Sequence, residues 1–490
     1  MAWGAPRGVD DLIDKLKDNT TASTMCILST RKFGHSEAVA FSAALSSNTS
    51  LGELLASGHR LEAAGAAAFG EALSRNTTLR SLCVGDNEFG DEGVLALVAG
   101  LRRNRGLLVL DLEYKSIVSG EGLDTLLKEH PTLADLRLGR NQLGEAGIHS
   151  LAAGLSLSCT LIRLDLSGNL LNPAAAKALG DALRRRPENA SVGAEATGPP
   201  PLEFLDVSKN PLGDEGGAAL FCALATSPTL TGLVVAETGL GGRAAASLAA
   251  ALAPSGLPPT EAGVPPLDAA GAAAASAGGG TQAGGSSNSV AMPPHPPPHS
   301  CLPLSPRSPP ASTTTTTVAT TSPMNEQRGG LTLLKTLDVS KNEFGAGGAV
   351  ELAGALSCGG APFLESLSIG YNGVGDEGAA ALGRAAGPRL AVLDLSGNAL
   401  SGTGVGAVVS ASGLREAKLF HNACGDEGGS KRMRKAGGRH QSAGSPFLPL
   451  LSDKVASGLL FCAPSRLGGS GAHRVVKTAA SRCRSVDVLH

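Results

Sequence analysis

The sequence predicts an α/β fold: a right-handed solenoid, curved as a horseshoe, with a parallel β-sheet on the concave face, helices outside, and one disordered insert. Three observations predict it. A single template, L-x-x-L-x-L-x-x-N-x-L-x-x-x-G, recurs along most of the 490 residues. The two halves of that template carry different hydrophobic periods. The composition suits a thin, repetitive core: 66 glycines and 29 prolines stand beside 3% aromatics, while hydrophobic content is still 42%.

Template frames begin at residues 23, 51, 79, 107, 133, 161, 202, 230, 334, 364, 390 and 414. Leu79, Leu82, Val84, Asn87, Phe89 and Gly93 fill one frame; Leu202, Leu205, Val207, Asn210, Leu212 and Gly216 fill another. The frame at 23 is degenerate, with Cys26, Leu28 and Phe33 in apolar slots and Arg31 in the Asn slot. The L-x-L core alternates with period two, so each frame opens with a short strand whose leucines share one face. An Asn follows where the chain turns off the sheet, and its amide suits backbone groups that the ladder leaves unpaired. Eight frames keep it: Asn87, Asn141, Asn169, Asn210, Asn342, Asn372, Asn398 and Asn422. After the Gly the period becomes helical, as Val94, Leu97, Val98 and Leu101 show by standing at i, i+3, i+4 and i+7. One such unit cannot repay its ordering entropy, so neighbours must stack and share faces. Each strand is followed by a helical crossover, so stacked strands run parallel.

These residues resemble leucine-rich repeats of the ribonuclease-inhibitor-like subtype, which also occur in NOD-like receptors, Ran GTPase-activating proteins and tropomodulins. The resemblance implies a binding fold that serves unrelated tasks.

Five segments follow from the pattern. Residues 1–22 form a capping helix, with Val9, Leu12, Ile13 and Leu16 on one face. Residues 23–253 hold repeats one to eight, and 334–430 hold repeats nine to twelve. Residues 254–333 are a low-complexity insert containing Gly278–Gly280, the run Pro293–Pro298 broken by His295, and Thr313–Thr317. Residues 431–490 are a basic tail without the repeat. A smaller interruption spans 187–200. Both interruptions fall between a helix and the next strand, so both are expected to project from the same edge of the solenoid; the repeats on either side of the larger one are expected to stack directly, with two separate arms joined by a long tether as the competing arrangement.

The charge is uneven. The chain has 41 basic and 43 acidic residues; the tail holds 11 and 2 of them, leaving 30 and 41 in residues 1–430. The body is therefore acidic and the tail basic. The 9 cysteines are widely spaced, odd in number and free of CxxC, which fits a reducing compartment. No secretory signal and no apolar run of about 18 residues is visible, so the expected location is cytoplasmic, with a nuclear one left open. The sequons at Asn19, Asn48, Asn76 and Asn189 are accordingly expected to carry no sugar.

Chemistry is sparse. There is no P-loop, no HExxH and no zinc-type spacing. Gly373, Gly375 and Gly378 make a GxGxxG between strand and helix, but Asp376 and Glu377 would repel a pyrophosphate there, so an ordinary repeat is the reading. Gly-Asp-Glu-Gly recurs with Asp91, Asp214, Asp376 and Asp426, read as carboxylates that cap helix starts. His295, His299 and Cys301 lie in the insert, where nothing orders them as ligands. The expectation is a protein that is not an enzyme, with no cofactor and no metal.

The concave face is the candidate site. Between the inward leucines, one side chain per repeat points to solvent: Asp111, Arg137, Asp165, Asp206, Val234, Asp338, Ser368, Asp394 and Lys418. Five aspartates in one row make a negative stripe suited to a basic segment of a protein partner. Glu113, Tyr114, Phe204, Tyr371, Phe420 and His421 flank it. The function expected is a protein–protein interaction scaffold. Activation of a small Ran-like GTPase is one alternative, although the tail is basic where that family has an acidic one. Ligand sensing as in NOD-like receptors is another. A tropomodulin-like role in actin binding has no separate segment to support it. The basic tail has three readings: a solvated end, a contact with nucleic acid or anionic lipid, or a segment that folds back onto the acidic concave face.

Overall fold

The computed structural model describes residues 8–85, 88–114, 116–184, 201–254, 331–411 and 413–423. All belong to one compact unit, residues 1–257 and 327–490. Asn87, the interruption at 187–200, the insert's motifs, Asp426 and the tail lie outside the described residues.

Twelve three-residue strands among the described residues form one sheet in chain order. They are β1 (Thr24–Cys26), β2 (Glu53–Leu55), β3 (Ser81–Cys83), β4 (Val109–Asp111), β5 (Asp135–Arg137), β6 (Arg163–Asp165), β7 (Phe204–Asp206), β8 (Gly232–Val234), β9 (Thr336–Asp338), β10 (Ser366–Ser368), β11 (Val392–Asp394) and β12 (Glu416–Lys418). A helix precedes the sheet, α1 (Asp10–Lys17), and one follows each of the first eleven strands: α2 (His35–Ser47), α3 (Glu62–Leu73), α4 (Gly90–Leu101), α5 (Leu123–Glu129), α6 (Gly144–Leu155), α7 (Pro173–Leu183), α8 (Gly213–Leu224), α9 (Gly242–Leu252), α10 (Gly345–Ser357), α11 (Gly375–Ala385) and α12 (Gly402–Val409). Successive helices pack on each other, and the fold is an open α/β solenoid.

Every strand pair is parallel, and the middle residues align: Leu54, Leu82, Leu110, Leu136, Leu164, Leu205, Leu233, Leu337, Leu367 and Leu393. All ten are fully buried against the helix layer. The pairing passes straight from β8 to β9, with Leu233 opposite Leu337, so both repeat blocks share one sheet across the insert.

The turn asparagines lock consecutive repeats. Asn210 donates from Nδ2 to the Leu166 carbonyl of the repeat before (2.9 Å) and to its own Val207 carbonyl (2.8 Å). Its Oδ1 accepts the N–H groups of Asn169 and Leu171. Asn342 repeats the pattern over the insert, donating to Val235 (2.8 Å) and accepting from Thr238 and Leu240. Each amide thus satisfies backbone groups that neither strand nor helix can reach.

Two expectations need correction. The frame at 23 is out of register by one: Met25 and Ile27 are the buried pair, while Cys26 is exposed and Leu28 is 61% exposed. A one-residue slip exchanges the faces of a strand, and pairing of Met25 with Leu54 fixes the true register. Arg31 then turns to the cap, with Nη1 2.8 Å from the Gly8 carbonyl and 2.6 Å from Asp11. The Gly-Asp-Glu-Gly carboxylates cap across the solenoid and not on their own helices. Asp91 accepts from Val118 and Ser119, Asp214 from Gly241 and Ala244, and Asp376 from the Ser401 N–H. Each therefore reaches into the loop or helix start of the following repeat.

Candidate functional site

The sheet face away from the helices is built by alternation. Each strand turns its middle residue inward, so its first and third residues, and the one two places further on, face outward. Across the twelve strands these positions hold nine acidic side chains: Glu53, Asp111, Glu113, Asp135, Asp165, Asp206, Asp338, Asp394 and Glu416. Three basic ones oppose them: Arg137, Arg163 and Lys418.

The row expected from the sequence is one register line. Asp111, Arg137, Asp165, Asp206, Val234, Asp338, Ser368, Asp394 and Lys418 pair in that order from β4 to β12. Asp111 departs from the expectation of solvent exposure, being only 8% exposed. Its Oδ2 accepts the Cys83 thiol (3.0 Å) and its Oδ1 the Glu113 N–H (3.0 Å). Burial and this carboxylate push the Cys83 thiol above its ordinary range.

Every aspartate of the row has a structural task. Asp165, Asp206, Asp338 and Asp394 each accept the N–H of the serine two residues on, at 2.8, 2.8, 2.9 and 2.9 Å. The Asp-x-Ser bond closes the strand end and holds each carboxylate in one orientation. Burial pushes the Asp206 carboxyl up; its bonds to Ser208 oppose the rise, and Asp165 and Asp338 add to it. Glu113 is likewise raised, first by burial and then by Asp111 and Asp165.

The basic side chains are spoken for. Arg137 lies 3.0 Å and Arg163 3.8 Å from the same Asp135 carboxylate, which is 12% exposed. The hydrogen bond that Arg137 donates to Asp135 holds the guanidinium above its usual range. Arg163 also covers the Phe204 ring at 4.1 Å. Asp135 and Arg163 were not foreseen, although the same alternation that gives the row gives the first strand position too.

Tyr114, Tyr371 and His421 stand one residue further, at a turn position with positive φ of 54°, 57° and 56°. Arg140, Lys209, Glu237 and Lys341 occupy the equivalent place, so the outer rim carries rings, cations and one carboxylate, Glu237, which lies 3.5 Å from Lys341. Arg140 sits 4.8 Å over the Tyr114 ring, and Tyr371 lies 6.2 Å from His421. Phe420 follows β12 at the far end of the sheet and is half-buried. No group of three His, Cys, Asp or Glu among the described residues is arranged to hold a metal.

A pattern described as Leucine Rich repeat matches residues 75–98, 198–221, 330–353 and 360–383. The Tonsoku-like protein of Mus musculus is 40% identical over 107 residues, covering 22% of this chain and 7% of that protein. The Tonsoku-like protein of Bos taurus is 36% identical over 115 residues, covering 24% and 8%. The chain thus spans less than a tenth of the length of these relatives. Among solved structures, the Rad7 and Elc1 complex from yeast aligns with a TM-score of 0.44 at 13% identity, covering 80% of this chain and 75% of that one. The four matched stretches fall on β3 with α4, β7 with α8, β9 with α10 and β10 with α11, and these strand–turn–helix units are leucine-rich repeats.

Proposed function

We propose that this chain is a protein-interaction scaffold whose outward sheet face docks a basic segment of a protein partner. The observation that carries the reading is the nine-to-three excess of acidic side chains on that face, held in strand register. A preorganised array loses little ordering entropy on docking, and its field steers cations toward it. The central contacts are Asp165, Asp206, Asp338 and Asp394, with Tyr114, Phe204 and Tyr371 as apolar anchors and Asp111, Glu113, Arg137 and Phe420 at the margins. The work done is binding and not catalysis. The 28-residue spacing between the frames at 51, 79 and 107, with a helix of twelve residues in α3 and α4, supports the ribonuclease-inhibitor-like subtype. Exposed free thiols at Cys26, Cys159, Cys222 and Cys358 support a reducing compartment, cytoplasmic or nuclear.

Titration of a short lysine homopolymer into the chain tests the reading. Changing Asp165, Asp206, Asp338 and Asp394 together to Asn keeps an oxygen to accept the Asp-x-Ser bond while removing the charge. Affinity at low salt should fall by at least about tenfold and its salt dependence should flatten. Unchanged affinity would remove the sheet face as the dock.

A further inference from the structure

From β7 to β11 the acidic row alternates. Asp206 on β7, Asp338 on β9 and Asp394 on β11 are each separated by one strand, with Val234 and Ser368 between them. Two strand steps are about 9.6 Å, so the run is about 19 Å long. Three backbone shapes can lay cations across it. A crossing β-strand repeats a face every ~6.7 Å and misses the spacing. Two turns of α-helix advance ~10.8 Å, and four turns overshoot the run by more than ~2 Å. Three residues of polyproline II advance ~9.3 Å and present the same face again, so six residues match the run within about 1 Å.

A second observation is independent of charge. Ser396, on the same outward side two residues beyond Asp394, is 7% exposed, and its Oγ has no hydrogen-bond partner. A buried hydroxyl left unpaired has a cost that a ligand acceptor removes. Polyproline II keeps its carbonyls free of internal hydrogen bonds, so it brings such acceptors. The residues between the aspartates, Val234 and Ser368, are uncharged and tolerate proline opposite them.

We propose that the docked partner segment is an extended polyproline-II stretch with a basic residue at every third position, seated on Asp206, Asp338 and Asp394. The proposal rests on the docking reading above and adds the partner's spacing to it. The run exists only because β8 pairs with β9, so the site belongs to both repeat blocks.

Fluorescence anisotropy with the full chain and three synthetic peptides of equal length and charge tests it. Each carries three lysines, padded with neutral residues to one length: at every third position with proline between, at every second position, and at every seventh position of a helix-forming sequence. The first should bind about tenfold tighter than the others. Asp338→Asn should cost it about tenfold and the others less than about threefold, and Ser396→Ala should cost only the first peptide. Equal affinities for all three would overturn the spacing and leave the docking reading standing. Failure of every peptide to respond to Asp→Asn changes would overturn both. Affinity that rises about tenfold when Lys431, Arg432, Arg434 and Lys435 are all changed to Gln would make this chain's own basic segment the occupant and overturn an outside partner.

Discussion

The N-terminal and C-terminal repeats satisfy the same backbone group by different means. The N–H of each frame's first leucine must find an acceptor where the preceding helix ends. In the N-terminal repeats a side chain supplies it: Leu51, Leu79 and Leu107 donate to Oδ1 of Asn48, Asn76 and Asn104, each at 2.8 Å. Those amides also reach back, Asn76 to the Leu45 and Asn48 carbonyls and Asn104 to those of Leu73 and Asn76. In the C-terminal repeats the backbone closes on itself, as Leu334 donates to the Leu331 carbonyl, Leu364 to Ala361 and Leu390 to Gly387. Among the described residues, the side-chain ladder at the helix ends therefore belongs to the first repeats, and the turn-asparagine ladder to the repeats from Asn141 onward. His130 marks the transition. It takes the Asn place, accepting the Leu133 N–H at Nδ1 (3.1 Å), but its buried Nε2 has no partner.

That difference is breakable at the junction of β8 with β9, which among the described residues lacks a helix-end amide. Asn342→Ala removes one donated and two accepted bonds that join its turn to the repeat of β8, and one to its own Val339 carbonyl; at the helix end of this junction a single backbone bond, Leu331 N–H to the Ala251 carbonyl, stands in place of a side-chain amide. The expected loss is about 3 kcal/mol or more in urea unfolding, with the single transition splitting in two. Asn76→Ala, in a ladder continued by Asn48 and Asn104 on either side, should keep one transition.

His130 offers the next effect. Burial, helped by Arg105, lowers its pKa from 6.5 to about 4. The folded chain holds it neutral while the unfolded chain protonates, so stability is whole above pH 6.5 and falls as pH drops toward about 4. The loss should be on the order of 3 kcal/mol at about 1.4 kcal/mol per unit. His130→Asn extends the N-terminal ladder by one repeat and should flatten that slope, read as the urea midpoint against pH.

The smallest effects come from glycines in the two regions. A Cβ at Gly100 would collide with the Gly70 backbone between α4 and α3, whereas one at Gly354 in α10 meets nothing within 4 Å. Gly100→Ala should cost about 1–3 kcal/mol and Gly354→Ala should gain about 0.5–1 kcal/mol in thermal unfolding.

The buried asparagines at 48 and 76 also bear on the sequons there. Their Nδ2 groups are spent on backbone carbonyls and both residues are 2% exposed, so neither offers an amide for a sugar. The signal for this second ladder was present, an Asn three residues before the frames at 51, 79 and 107, but two of the three, Asn48 and Asn76, also read as sequons, and all three lie outside the repeat template. The turn ladder was legible because its Asn sits inside the repeat template. The frame at 23 was misread because Cys26 and Leu28 are as apolar as Met25 and Ile27, and pattern alone does not choose between adjacent registers.

By itself the sequence determined the strand–turn–helix unit, its parallel stacking and the outward row, because periods of two and 3.6 are local properties of the chain. The tertiary structure decided what those residues do to one another. Direct pairing of β8 with β9 placed Asp338 two strands from Asp206, and the close approach of Asp135 to Arg137 and Arg163 spent the cations that would have balanced the row. Such couplings depend on distances between repeats, and distance across a stack is fixed only once the backbones lie side by side.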